Sequence, residues 1–263
     1  MNHLDKLESK SIYIIREAAN KFKNLGIMWS VGKDSTVLLH LVKKSFFGKV
    51  PFPVVYIDTG YHFQEMYDFR DELVGKWGLD LVVSRNNEAD EKGIGPKDKF
   101  DCCNLRKTQA LKNTIREKGF DALLLGIRRD EHGVRAKERY YSPRDESFQW
   151  DYENQPPEMW DQYKTKSDEK THLRVHPLLH WTEMDVWKYI QRENLPVNPL
   201  YFARDGKRFR SLGCEPCTSP VKSDIKNVED MIREIEESKT AERAGRSQDK
   251  EKIMQRLRAL GYM

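Results

Sequence analysis

Three groups of residues in this chain carry side chains suited to chemistry. The first is Ser30-Val31-Gly32-Lys33-Asp34-Ser35, which follows the apolar run from Leu25 to Trp29 and precedes Thr36 to Val42. The run reads as a buried strand, the hexad as a short polar turn, and the stretch after it as the first turns of a helix. A strand, a tight turn and a helix N-terminus aim unpaired amide N–H groups and the positive end of the helix dipole at one point, which is an anion site. Ser30 and Ser35 add hydroxyl donors, and Lys33 adds a point charge suited to phosphate. The G-x-x-x-x-G-K-[ST] spacing of the common P-loop is absent. The second group runs from Gly126 through Arg128 and Arg129 to Arg139 and leaves the end of a predicted strand, Asp121 to Gly126. If helical, it sets Arg128, His132, Arg135 and Arg139 on one face, where converging guanidiniums bind an oxyanion by paired hydrogen bonds. Asp130, Glu131 and Glu138 lie alongside and offer the other use of such arginines, a salt-bridged helix face. By position, Arg128 and Arg129 are the two that reach the crevice. The third group is the four cysteines, Cys102, Cys103, Cys214 and Cys217. In a chain that begins with a polar stretch and no apolar signal segment, they point to metal or redox chemistry rather than disulfides.

These residues need a scaffold, and the pattern of the chain supplies one. Lys6 to Phe22 has helical spacing of apolar residues; Pro53 to Ile57 and Leu79 to Val83 read as strands, Glu65 to Trp77 and Cys102 to Lys118 as helices, and Leu173 to Leu178 as the last strand. Thr182 to Glu193 reads as a helix with Thr182 as N-cap and Asp185 at N3. Strands alternating with helices predict an α/β fold, a mostly parallel twisted sheet with helices on both faces. In such sheets ligands collect at the carboxyl ends of the strands. Ser30–Ser35 and Asp58-Thr59-Gly60 both lie there and are expected to line one pocket. For Asp58, a strand-end cap is the alternative to metal or ribose contact. The expected organisation is one domain over residues 1–220 and a C-terminal helical tail over 221–263. Within it, the aromatic-rich stretch 140–167 is an ordered loop, either a lid, a docking surface or a loop folded back on the core. The chain has 263 residues, 38% hydrophobic and 33% charged, and a net charge of +4, too small to select a partner. Basic residues are spread among acidic ones without a recognition motif, so nucleic acid is expected only through a partner. No apolar run approaches a membrane span, and a cytoplasmic location is expected by default.

The hexad resembles the PP-loop of the ATP pyrophosphatases, whose usual form is Ser-Gly-Gly-Lys-Asp-Ser; here Val31 stands at the first glycine. The resemblance extends through Ile57 to Gly60, Gly126 to Asp145, Arg174 to Pro177 with Trp181-Thr182-Glu183, and Ala241-Glu242-Arg243-Ala244-Gly245-Arg246. These segments are similar to the phosphoadenylyl-sulfate reductase family, and most of all to the small, ATP-cleaving subunit of bacterial sulfate adenylyltransferase. The resemblance implies an adenine-nucleotide α-hydrolase-like sheet. It also implies an activity, cleavage of ATP between the α and β phosphates, with AMP passed to an acceptor and pyrophosphate released. It implies that residues 30–35 hold the pyrophosphate, with Lys33 and Ser35 catalytic, and that Mg²⁺ bridges phosphate oxygens with water or Asp34 in its shell. Asp58 and its neighbours then sit near adenine and ribose, with Gly126 also at the nucleotide, and Arg128 and Arg129 face the anionic substrate.

The cysteines depart from the small-subunit pattern. Cys102-Cys103 followed by Asn-Leu-Arg-Lys, and Gly213-Cys214-Glu215-Pro216-Cys217, look like the two halves of the iron–sulfur site in adenylyl-sulfate reductases. Four thiolates in two pairs suit a [4Fe–4S] cluster, with Zn²⁺ as second choice. Those reductases also use a nucleophilic cysteine near the C-terminus, and this chain has none after Cys217. The expected function is therefore adenylylation of an acceptor for sulfur insertion, as in DNA phosphorothioation with a cysteine desulfurase as partner. The alternatives are the sulfate adenylyltransferase small subunit, with a GTPase partner, and the reductase, which the missing cysteine disfavours. Homo-oligomerisation is left open.

Overall fold

The structure, a computed structural model, describes the chain except residues 132, 134, 152, 154, 156, 161, 164–171, 238–241, 243–256, 258–260, 262 and 263. Its centre is a six-stranded sheet. In chain order the strands are β1 (Leu25–Met28), β2 (Val54–Ile57), β3 (Leu81–Ser84), β4 (Ala122–Leu124), β5 (Tyr141–Arg144) and β6 (His172–Val175), and their spatial order is β3-β2-β1-β4-β6-β5. The first four and β6 run parallel, with Ile27 beside both Val54 and Leu124, and Leu124 beside Val175. Every residue of β1, β2, β4 and β6 is buried, as expected for parallel strands covered on both faces.

The helices are α1 (His3–Lys21), α2 (Lys33–Ser45), α3 (Gln64–Trp77), the short α4 (Glu88–Glu91), α5 (Lys99–Cys103), α6 (Ala110–Lys118), α7 (Glu183–Glu193) and α8 (Val228–Glu237). Helix α1 packs on α2, α2 on α7 and α7 on α8. Met231 and Ile232 of α8 belong to the same core as the sheet. None of the described helices is long and apolar enough to cross a membrane.

Two expectations change here. The stretch 140–167 is not all loop: Tyr141 to Arg144 forms β5, antiparallel to β6, with Tyr141 opposite Val175 and Arg144 opposite His172. Pro143 and Arg144 disguised it. A proline is tolerated on an edge strand, where no further ladder is needed, and Arg144 is buried against Glu138 at 2.9 Å. Tyr140, Tyr141 and Phe148 are buried and Tyr163 stacks on Tyr141 at 4.8 Å, so these aromatics fold the segment onto the core, while Trp160 stays exposed; Tyr152 lies outside the described residues. Nor is β6 the last strand: β7 (Lys207–Arg208) and β8 (Val221–Lys222) form a separate antiparallel pair, too short for a periodicity to register. Of the expected helical tail, α8 is described; most of the chain beyond Glu237 lies outside the described residues.

Helix α7 carries the box its sequence predicted. Thr182 Oγ1 accepts from Asp185 N at 3.1 Å, and Asp185 returns the bond by accepting from Thr182 N at 2.9 Å. Thr182→Ala is expected to cost about 1 kcal/mol and lower the melting temperature by about 2–4 °C. An unchanged thermal melt would show that the cap adds nothing.

Candidate active site

The hexad sits where β1 gives way to α2. The helix begins at Lys33, earlier than the apolar pattern indicates, so Lys33, Asp34 and Ser35 form its first turn and Gly32 is the N-cap without a side-chain cap. That leaves the first amides of α2 aimed at the crevice. The Trp29 indole donates to Thr36 Oγ1 at 3.1 Å and ties the end of β1 to the helix. Val31 is fully buried with φ of 63°. A β-branched residue in the left-handed region is strained by about 1–2 kcal/mol, and burial of the isopropyl group in the core holds it there. Ser35 Oγ accepts from Ser30 N at 3.2 Å and donates to Gly32 O at 3.1 Å, closing the turn. Gly126 packs from the end of β4: a Cβ there would stand 3.1 Å from Ser35 Cα and N. Only glycine allows that approach without displacing the first turn of α2. Ser30, Gly32, Lys33, Asp34, Ser35 and Gly126 share the wall of one cavity of about 170 Å³, together with Met28, Tyr56, His62, Lys107, Glu131, Arg135 and Tyr201.

The floor of this cavity is a buried charge cluster. Lys33 Nζ lies 3.2 Å from Asp34 and is also paired with Glu242. Arg128, fully buried, pairs with Asp34 and Glu242 and meets Asp130 at 2.9 Å. Burial pulls the Lys33 pKa down most strongly, but Glu242, Tyr201 and Glu183 together outweigh it and the net shift is upward. Burial pushes Glu242 up, but Lys33 and Arg128 outweigh it and hold it at about 2. Tyr201 Oη accepts from the Lys33 amide at 3.0 Å. The protein's own oxygens, from Glu242 and Tyr201, thus occupy a lysine, an arginine and the first amide of α2. Asp34, Glu131 and Glu242 also bring carboxylate oxygens within 4.8 Å of one another, a donor set a hard divalent cation takes. Sequence reasoning assigned no role to Glu242 or Tyr201. For Glu242 a signal was present, since it lies in a segment that carried the family resemblance, but neither spacing nor residue type placed either residue on Lys33. The other residues of that C-terminal motif, 241 and 243–246, lie outside the described residues.

The arginine segment is not one helix. It forms two 3-10 turns, Arg129–Glu131 and Arg135–Lys137, on either side of Gly133. The expected common face is therefore lost; His132 lies outside the described residues. Arg128 turns into the cluster and Arg135 pairs with Glu131 at the cavity wall. Arg129 does not line this cavity: it donates to His180 Nε2 and, at 3.1 Å, to Glu138 O. The Asp58-Thr59-Gly60 turn is also placed otherwise than expected. Asp58 accepts from Tyr67 Oη at 2.8 Å and Gly60 N at 2.9 Å, which makes it a strand-end cap, and neither it nor Gly60 lines the cavity. Thr59 faces the cysteines instead.

Cys102, Cys103, Cys214 and Cys217 are all buried around one small cavity, with Thr59, Tyr61, Arg106 and Lys107. The first pair ends α5. A π-helical turn, Asn104–Gln109, then links α5 to α6, and its extra residue per turn rotates Lys107 toward both the cysteine cavity and the hexad cavity. Arg106 is already engaged, donating to Thr59 O at 3.2 Å and Ile94 O at 2.9 Å and pairing with Asp90 at 2.7 Å. The second pair brackets the 3-10 turn Glu215–Cys217. Burial raises the Cys214 thiol, but Lys107 and hydrogen bonds from His62 and Thr59 more than reverse it, to about 5; burial raises Cys102 to about 11.

A parallel sheet with a PP-loop at its carboxyl edge defines the class: an ATP-using adenylyltransferase on the adenine-nucleotide α-hydrolase-like fold. The phosphoadenosine phosphosulfate reductase domain matches residues 24–220, and the chain belongs to that family. It is 42% identical to sulfate adenylyltransferase subunit 2 of Marinomonas sp., covering 100% of this chain and 98% of that protein, and 42% identical to the same subunit of Pseudomonas putida over 94% and 92%. Among solved structures it resembles phosphoadenylyl-sulfate reductase from Candida auris, with a TM-score of 0.55, 19% identity and coverage of 81% of this chain and 94% of that one. It also resembles Candida glabrata FMN adenylyltransferase in complex with ATP, with a TM-score of 0.59, 19% identity and coverage of 99% and 87%.

The cluster sets a pH dependence. A carboxyl held below its unfolded value, about 4.3, adds stability that is complete above that pH and is lost as pH falls through the folded value of about 2. Glu242→Gln is therefore expected to melt at a lower temperature than the parent at pH 7, with the gap shrinking steadily below about pH 4. A gap that is constant with pH would mean the carboxylate is not held by the two cations.

Proposed function

We propose that the chain cleaves ATP between its α and β phosphates and transfers AMP to sulfate, giving adenylyl sulfate and pyrophosphate. The observation that carries this reading is the hexad cavity, whose wall brings together the first turn of α2, Ser30, Ser35 and Lys33, over a floor where Lys33 and Arg128 are paired with Glu242. A sulfate oxygen attacks the α phosphorus, the bond from that phosphorus to the bridging oxygen breaks, and pyrophosphate departs with the electron pair. The protein's work is alignment and charge screening. Lys33 and the α2 amides take the β and γ oxygens, Ser30 and Ser35 donate to them, and Arg128 stabilises charge on the leaving group. Mg²⁺ would be held by phosphate oxygens and Asp34, with Glu131 in reach; it supplies charge neutralisation. At about 170 Å³ the cavity is smaller than the roughly 300–1,000 Å³ of ordinary ligand clefts, so Glu242 leaves its seat when the triphosphate enters. The full-length likeness to two proteins named sulfate adenylyltransferase subunit 2 supports sulfate as acceptor and a second subunit, a GTPase, as partner.

One observation favours a second reading. Four buried thiols surround a cavity that shares Lys107 with the nucleotide cavity. Four thiolates in two pairs suit a [4Fe–4S] cluster, with Zn²⁺ as second choice. Cys102, Cys103, Cys214 and Cys217 would hold it and Lys107 would offset its charge; bound, it supplies a redox or sulfur-handling centre. This fits sulfur insertion into an adenylylated acceptor, DNA phosphorothioation with a cysteine desulfurase being the case the sequence suggests.

Lys33→Ala and Ser35→Ala are expected to lower pyrophosphate release from ATP by at least about 10²-fold, and unchanged turnover in both would remove the proposal. Assaying release with sulfate plus the partner subunit, and separately with DNA plus a desulfurase, separates the two acceptors. Anaerobically purified protein is expected to absorb near about 400 nm, and Cys102→Ser with Cys214→Ser to lose that band. Iron-free parent protein would leave only the sulfate reading.

A further inference from the structure

Arg128 and Arg129 are consecutive, yet they enter different cavities. Arg128 lies under the hexad. Arg129 lines a second cavity of about 310 Å³, which shares no wall residue with the first and is bounded by Lys10, Arg139, His180 and Glu158. Three cations face one acid there, and that acid is already engaged: Glu158 accepts from the amides of Tyr140 and Tyr141, each at 2.8 Å. Arg129 is held in orientation. It donates to His180 Nε2, which fixes the proton on Nδ1, and that N–H donates to Tyr140 Oη. With one amino group on His180 and the other on Glu138 O, the Arg129 Nε hydrogen is buried without an acceptor. The backbone carbonyl of Arg139 accepts from His176 Nδ1 at 2.7 Å, but its guanidinium makes no hydrogen bond or salt bridge among the described residues. A guanidinium oriented by a side-chain chain, a second one whose donors take no protein acceptor among the described residues, and a lysine line the same cavity and together form a cationic fork for a tetrahedral oxyanion.

We propose that the cavity between Arg129, Arg139, Lys10 and His180 is a second anion site, separate from the nucleotide cavity, which binds free sulfate or phosphate. The cavity is roomier than such an ion needs, so the anion enters with part of its hydration shell. The site does not depend on the assignment of the hexad to ATP.

The test is calorimetric titration with sodium sulfate and with sodium phosphate at constant ionic strength, sodium chloride serving as control. It is run on the parent, on Lys33→Met, which removes the lysine of the hexad and leaves Arg128, and on Lys33→Met with Arg139→Ala. Saturable binding of one equivalent is expected to persist in Lys33→Met and to weaken at least ten-fold when Arg139→Ala is added. Arg139→Gln, with a circular dichroism spectrum checked against the parent, serves if the alanine variant misfolds. The arm that saturates at lower concentration identifies the anion. No saturable binding in Lys33→Met, or binding indifferent to Arg139, overturns the proposal. Pyrophosphate release from ATP by Arg139→Ala, measured separately, reports on the nucleotide cavity alone.

Discussion

Two cations buried side by side, Lys33 and Arg128, are the constraint around which this molecule is arranged. Neither is more than 3% exposed, and an unpaired charge in such surroundings is costly enough to unfold a domain. The anions that make them tolerable come from three separate parts of the chain: Asp34 from the first turn of α2, Asp130 from the turn after β4, and Glu242 from beyond α8. Seating the cations therefore ties the ends of two strands and the C-terminal region to one point. It also explains how the cluster stays folded with the protein's own carboxylates as counter-charges.

The sheet decides where that point lies. β1 and β4 are neighbours only because the order reverses around β1, and the loops leaving their carboxyl ends therefore meet. Gly126 lets them meet closely, since its missing side chain is the space in which the backbone of Ser35 passes. Val31 stands in a conformation that a valine resists, and the core around it sustains the strain. The cost of that strain and the closeness at Gly126 serve the same end, which is to fix the amides of α2 in one direction.

A second layer of organisation joins the thiols to the hexad cavity. The π turn after Cys103 adds a residue to the helix and swings Lys107 between the two cavities. The depressed thiol of Cys214 owes its shift to the same lysine, together with His62 and Thr59. Lys107, which lines both cavities, is thus the charged group that connects them.

The sequence alone determined the local features whose cause is local. The parallel strands are apolar runs because both their faces are covered. The α7 cap is legible because its two partners are three residues apart, and the hexad is legible because strand, turn and helix start are contiguous. The edge strand β5 escaped because its proline and its buried arginine contradict strand preferences, and only pairing with β6 and the Glu138 partner make it stable. The arginine segment was misread for the same kind of reason. Helical spacing promised one face, but Arg128 was drawn inward to distant carboxylates and Arg129 to His180, and no periodicity encodes those pulls. That four cysteines far apart in the chain surround one cavity, and that Glu242 rests on Lys33 across more than two hundred residues, were settled by tertiary packing, because buried charge and buried sulfur are satisfied by whatever the fold brings near and not by their neighbours in sequence.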